Sequence, residues 1–206
     1  MGASSFGEMA MSVIREISNI GVGHAATALS GMTGQTFHVT VPSADEVELT
    51  DVPALVGFPE EVAVCILMPV EGDLTGQMGW LMPWTSAVAL WNLVIGTAPE
   101  DPSSVDELAS SAMLELGNIV DSGFLNAISD MTGLKVHASP PFLSIDMGVA
   151  VLYQIFAEAQ LAGLSALSVR TSIQNETGDI EGFFIYFPTD GSLQTLFASL
   201  GIQEAA

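Results

Sequence analysis

Two stretches, Ser12-Val13-Ile14-Arg15-Glu16-Ile17-Ser18-Asn19-Ile20 and Ser111-Ala112-Met113-Leu114-Glu115-Leu116-Gly117-Asn118-Ile119, carry the same polar residues at the same spacing, 99 positions apart. Sliding the chain on itself by that offset also aligns Ala28 with Ala127, Met32-Thr33-Gly34 with Met131-Thr132-Gly133, His38 with His137 and Pro42 with Pro141. Further on, Gly72-Asp73-Leu74-Thr75-Gly76 matches Gly178-Asp179-Ile180-Glu181-Gly182 at an offset of 106, which leaves about seven extra residues in the second copy. Agreement over so many residues at a fixed offset reads as an internal duplication with one insertion.

Working outward, each stretch sits in a helical pattern. Val13, Ile17 and Ile20 recur at helical spacing up to about Met32, and Ser104 to Met131 behaves likewise, with Thr33-Gly34 and Gly133 as stops. A strand is predicted after each helix, Gln35 to Val41 and Leu134 to Ala138. Paired strands follow: Val62 to Val70 with Leu74 to Met82, and Leu167 to Ile173 with Ile180 to Phe187. Short helices, Thr85 to Ile95 and Ser192 to Leu200, close the halves, and Pro99 to Ser104 is the joint. The repeats therefore run over about 8–98 and about 104–201 of a single domain spanning 1–206. Three strands with one apolar side cannot bury it alone. The expected fold class is α+β: internally duplicated helix-β-β-β-helix units forming one six-stranded, mainly antiparallel sheet, pseudo-twofold symmetric, with long helices packed on it. The insertion falls between Pro141 and Leu167, where Asp146 is placed to cap a helix running from Met147 to Leu161. That helix is apolar nearly all round, which suits either a core position or a partner's groove.

Composition narrows the function. Apolar residues make up 49% of the 206, and mean hydropathy is +0.49, so the chain folds despite a formal charge of −21. Against 24 Asp and Glu stand only Arg15, Lys135 and Arg170, which leaves no basic groove for nucleic acid and no polybasic patch for anionic lipid. An acidic surface of this strength also suits a cell interior rich in salt, where screening weakens self-repulsion. Cys65 stands alone in the apolar run Val62 to Met68, which reads as a buried thiol in a reducing, cytoplasmic setting. Met1 to Ile17 lacks a cationic flank ahead of an apolar stretch, so no secretory signal is expected. Gly79 to Gly96, interrupted by Pro83, Thr85, Ser86 and Asn92, reads as a buried strand-turn-helix rather than a membrane span.

The polar residues define a face. At about 100° per residue, with Ser12 at zero, Glu16 falls near 40°, Asn19 near −20° and Gly23 near 20°. Val13, Ile17 and Ile20 fall to one side and are assigned to the core, so the stripe should look outward. Ser111, Glu115, Asn118 and Ser122 repeat it, and the small fourth residue leaves room for another molecule to approach. A carboxylate and a carboxamide one turn apart are neighbours that hold rather than attack. The carboxylate grips a cation or ammonium, and the amide orients a water. Orienting a water is what phosphoryl hydrolysis needs, since catalysis there is mostly positioning and charge neutralisation. Three cations cannot clamp a phosphate, so a lysine and a divalent metal would have to come with the substrate.

Ser-x3-Glu-x2-Asn-x22-Pro, as Ser12, Glu16, Asn19, Pro42 and again as Ser111, Glu115, Asn118, Pro141, resembles the signature of the CheC/CheX/FliY phosphatases of bacterial and archaeal chemotaxis. CheX-type members keep one motif per chain, and FliY-type members add a flagellar-switch domain for which 206 residues leave no room, so the CheC type is expected. The resemblance implies hydrolysis of the aspartyl phosphate of the response regulator CheY at two equivalent sites. Glu16 and Glu115 would pair with the receiver's lysine, and Asn19 and Asn118 would align the water, with Ser12, Pro42, Ser111 and Pro141 supporting. The metal would be the receiver's Mg²⁺, with none in this chain. The resemblance also implies a second partner, the receptor deamidase CheD, for which Asp146, Val149 and Phe156 of the inserted helix are the candidates. An adaptor that binds phosphorylated CheY or CheD with little hydrolysis is the alternative.

Other signals carry less. Gly21-Val22-Gly23-His24-Ala25-Ala26 has the spacing of a dinucleotide loop, but the residues before it are helical where a strand is required. His38 and His137 are matched strand residues without further ligands at metal spacing, and read as structural. Ser12 and Ser111 have no base beside them and are not nucleophiles. Pro42 and Pro141 are expected to end the first strand of each half.

Overall fold

The structure, a computed structural model, describes residues 7–58, 60–158, 165–175, 178–189 and 191–202. Helix α1 (Gly7–Thr33) and helix α4 (Glu107–Thr132) are the two long helices expected around the polar stretches. Their ends follow from local chemistry. Asp106 caps α4 by accepting from the Ala109 N–H at 2.8 Å, and Glu107 adds a carboxylate to the positive end of the helix. Gly34 and Gly133 adopt φ of 69° and 73°, and their N–H groups reach the carbonyls of Ser30 and Ser129, closing both helices in the same way.

The remaining elements are β1 (His38–Glu48), α2 (Val52–Val56), β2 (Val62–Gly72), β3 (Gly76–Pro83), α3 (Trp84–Ile95), β4 (Val136–Ala138), β5 (Phe142–Met147), α5 (Gly148–Glu158), β6 (Ser165–Asn175), β7 (Gly178–Pro188) and α6 (Ser192–Ser199). They form one antiparallel sheet in the order β1-β6-β7-β3-β2-β4, with β5 also on β2. The first strand of each half joins the other half's hairpin. β1 lies on β6, while β4 and β5 lie on β2. The outer ladders agree in register: His38 faces Gln174 where His137 faces Glu71, and Ser43 faces Arg170 where Phe142 faces Leu67. At the centre β3 meets β7, with Gln77 opposite Phe187 and Leu81 opposite Phe183.

The sheet has seven strands rather than six. Pro140 and Pro141 offer no N–H to the ladder, so the strand after α4 breaks into β4 and β5. β1 runs on through Pro42 to Glu48 instead of ending there. It absorbs the proline in a register shift between Thr40 and Ser43, on an edge strand whose outer side needs no donor.

Helices cover both faces of the sheet. On one, α1, α3, α4 and α6 bury Ile14, Ile17, Leu90, Trp91, Leu116 and Phe197 against Ile66, Trp80 and Phe184. Phe124 of α4 stacks on Phe184, and Phe184 on Trp80, at ring separations of 5.9 and 5.4 Å. The Trp91 indole N–H donates to the Ala109 carbonyl at 2.8 Å and ties α3 to α4. On the other face, α2 and α5 cover Cys65, Leu67, Leu81, Ile185 and Phe187 with Val52, Val56, Val151, Leu152 and Ile155. The inserted helix is thus a core helix along that side. It spans Gly148–Glu158, and the expected end at Leu161 lies outside the described residues. Asp146 does not cap it. Asp146 belongs to β5, opposite Ala63, and its Oδ1 accepts from the N–H of its own neighbour Met147 at 2.7 Å. Gly79 to Gly96 is β3 and α3, and no helix among the described residues is long and apolar enough to cross a membrane.

The two long helices cross at glycine. A Cβ on Gly21 would stand 2.8 Å from the Phe124 Cα, and one on Gly123 would stand 2.9 Å from the Gly21 carbonyl oxygen. Backbone there cannot yield without separating the helices, so Gly21→Ala lowers stability by about 1–3 kcal/mol. Urea unfolding measures it, and an unchanged midpoint would show that the crossing has slack.

Candidate functional site

Each polar stripe is exposed. Ser12, Glu16 and Asn19 of α1, and Ser111, Glu115 and Asn118 of α4, all face solvent, and none has a hydrogen bond or ion pair with a described residue. The reason is the position of the buried face. In α1 it comprises Ala10, Ile14, Ile17, Ser18, Gly21, Val22, Ala25 and Leu29, which lies opposite the stripe. Ile20, assigned to the core from the sequence, is 38% exposed and borders Glu16 instead. Around Gly23 an added Cβ would meet nothing within 4 Å, so the helix surface there is open.

The structure gathers the second set of candidates into one place. Ser111, Leu114, Glu115 and Asn118 of α4 line an open groove with Ala138, Ser139, Pro140 and Pro141 from the break between β4 and β5. The double proline that splits the strand therefore forms one wall. Glu71 braces that wall: its Oε1 accepts from the Ser139 hydroxyl at 2.8 Å, and its Oε2 lies 3.5 Å from His137 Nε2. In the first half the corresponding groove is lined by Gly7, Glu8, Met11, Ser12 and Arg15 of α1 and by Pro42, Ser43, Ala44 and Asp45 of β1. Ser12 and Pro42 meet there, whereas Glu16 and Asn19 stand on the neighbouring helix surface outside it.

Asp121, one turn beyond Asn118, is wholly buried, and neither carboxylate oxygen has a partner among the described residues. Burial pushes its pKa well above the usual carboxylate value. Cys65 is likewise buried, and its thiol is held up first by burial and then by the Asp121 carboxylate.

The remaining candidates lie apart. Asp146, Val149 and Phe156 belong to β5 and α5, on the opposite face of the sheet from the stripes. Phe156 is half-buried, edge-on to Phe187 at 5.8 Å, and Val149 is half-buried too. Tyr153, 65% exposed, and Met147, 39% exposed, are the large side chains presented there. His38 and His137 occupy opposite edges of the sheet and cannot share a ligand. The glycines of Gly21-Val22-Gly23 lie in mid-helix, so they form no phosphate loop.

Sequence reasoning missed two apolar residues beside the stripes. Met9 is 76% exposed and Leu108 is 61% exposed, each one turn before the motif serine. The signal was present: Met9 and Leu108 are matched at the same offset of 99.

The CheC-like family model matches residues 9–44 and 108–145, and each segment holds one Ser, Glu, Asn and Pro set. A Bacillus subtilis (strain 168) protein named CheY-P phosphatase CheC is 32% identical over 198 residues, covering 94% of this chain and 95% of that one. The chain belongs to the CheC-like family. Another similar protein of B. subtilis (strain 168), the flagellar motor switch phosphatase FliY, is 29% identical over 136 residues, which is 65% of this CheC-like chain but 35% of FliY. In three dimensions the CheC-like fold is shared with the crystal structure of Thermotoga maritima FliY, at TM-score 0.75 and 22% identity over 94% of this chain and 96% of that one.

Proposed function

We propose that this chain hydrolyses the aspartyl phosphate of phosphorylated CheY. The observation that carries the reading is the groove where Ser111, Glu115, Asn118 and Pro141 meet, with the carboxylate and carboxamide exposed and unbonded to described residues. Its support from relatives is the name CheY-P phosphatase CheC, borne by a protein similar over nearly the whole chain.

The Glu115 carboxylate accepts hydrogen bonds from the ammonium of a receiver lysine and fixes the docked orientation. The Asn118 amide oxygen accepts from a water, and the amide directs a lone pair of that water at phosphorus, in line with the bond to aspartate. The P–O bond to the carboxylate breaks, water supplies the new oxygen, and the products are inorganic phosphate and free aspartate. Mg²⁺ on the receiver neutralises the phosphoryl charge and comes with the substrate. Glu16 and Asn19 repeat the pair on α1. Incubation of substoichiometric chain with radiolabelled phospho-CheY is expected to release all the label as inorganic phosphate. Label retained on the chain would overturn hydrolysis in favour of phosphotransfer.

Met9 and Leu108 supply apolar contact at the edge of each stripe. Met9→Ser with Leu108→Ser is expected to raise KM about ten- to hundredfold, the effect of losing roughly 1.5–3 kcal/mol of apolar burial, while kcat holds. A fall in kcat alone would remove these residues from docking.

The adaptor reading, capture of phosphorylated CheY or CheD with little hydrolysis, draws on one observation. α5 presents Tyr153 away from both grooves. On that reading Tyr153, more than Phe156 or Val149, contacts CheD, and a Tyr153→Ser chain that still binds CheD would exclude this surface.

A further inference from the structure

Among the matched residues that line both grooves, one pair differs in charge. Arg15 lines the first beside Ser12 and Pro42, and its match Leu114 lines the second beside Ser111 and Glu115. Arg15 is exposed and makes no ion pair with a described residue, although Glu8 and Asp45 line the same groove. It is one of three Lys and Arg in a chain of formal charge −21, so nearly all the surrounding surface repels anions. A guanidinium donates two parallel hydrogen bonds to a pair of phosphoryl or carboxylate oxygens, whereas leucine offers apolar contact alone.

We propose that the two sites recognise the substrate differently: Arg15 makes the first groove a reader of an oxyanion on the phosphorylated partner, and Leu114 leaves the second, lined by Glu115, without such a reader. Arg15 is a specificity-determining residue here, and the inference rests on the phosphatase reading for the identity of the partner. One-site chains separate the two. Glu115→Lys with Asn118→Ala closes the second site by repelling the receiver lysine and leaves the first, and Glu16→Lys with Asn19→Ala leaves the second.

Binding is titrated with CheY carrying Mg²⁺ and beryllofluoride as the phosphoryl mimic, and with unloaded CheY, at low and high salt. Arg15→Leu is expected to weaken the first-site chain about tenfold at low salt and to flatten its salt dependence. The second-site chain keeps its affinity, and Leu114→Arg changes its salt dependence beyond what the Glu115 ion pair already gives. A loss confined to the loaded form identifies the phosphoryl group as the oxyanion; an equal loss with unloaded CheY identifies a carboxylate of the partner. Unchanged binding by the first-site chain, or equal losses in both chains, would overturn the inference. Arg15→Lys, which keeps the charge without the fork, should recover part of the affinity. Wild-type chain that binds but fails to hydrolyse would defeat the phosphatase reading and leave these binding ratios to stand or fall separately.

Discussion

Asp121→Val raises the stability of the fold at neutral pH by about 1–3 kcal/mol, the usual cost of a buried polar group left without partners. Asp121 is 0% exposed and both its oxygens are unpartnered among the described residues. Valine fits the helix position: Val22, matched to Asp121 in α1, is itself 2% exposed. The pH dependence has a definite sign. The folded-state pKa lies well above the value of 3.8 for a free aspartate, so the folded chain holds the proton more tightly than the unfolded one. The associated stability is complete below the unfolded value and is lost as pH rises towards the folded one. Urea unfolding at about pH 5 and about pH 8 should therefore show a wider gap between Asp121→Val and wild type at the higher pH. Asp121→Asn should share the flatter profile with a smaller gain, because its amide still lacks partners. A gap that does not change with pH would mean that Asp121 finds a partner in solution.

Glu115 and Asn118 should fail in different ways. In a chain whose first site is silenced by Asn19→Ala, Asn118→Ala is expected to lower kcat by about 10²–10³ with little change in KM, because in the proposed hydrolysis the amide acts on a water that is held only on the way to the transition state. Glu115→Ala is expected to raise KM about tenfold, since the ion pair proposed for it with the docked receiver would be present before and during reaction. Steady-state hydrolysis of phospho-CheY separates the two. Equal losses in kcat and unchanged KM for both variants would assign Glu115 to the chemical step as well.

The sequence made the long helices, their glycine stops, the strand pairs and the outward stripes legible because each rests on local periodicity or on a residue with special backbone freedom. The pairing of β1 with β6, and of β4 and β5 with β2, was not, since an exchanged strand has the same local pattern as one that pairs at home. The second helical layer left a sign in the unbroken apolar run Val62 to Met68, read above only for its thiol; Ala63 to Met68 are all buried, which a sheet covered on one face does not produce. Ile20 was misplaced because three apolar positions alone do not fix the centre of a helix's buried face; Gly21 and Ser18, both buried, complete it. Asp146 has the composition of a cap but stands in a strand, where its pairing with Ala63 prevails over local preference. In the site, the stripes were legible and the grooves were not, because Pro141 reaches Glu115 and Asn118 only through the tertiary packing of α4 beside the strand break.

Hydrolysis by the paired Glu and Asn residues is measured by the lifetime of radiolabelled phospho-CheY alone, with wild-type chain, and with the Asn19→Ala, Asn118→Ala chain. Wild-type chain is expected to shorten that lifetime, and the double variant, which still binds, to restore it. A lifetime that wild-type chain leaves unchanged despite binding would contradict hydrolysis and leave an adaptor.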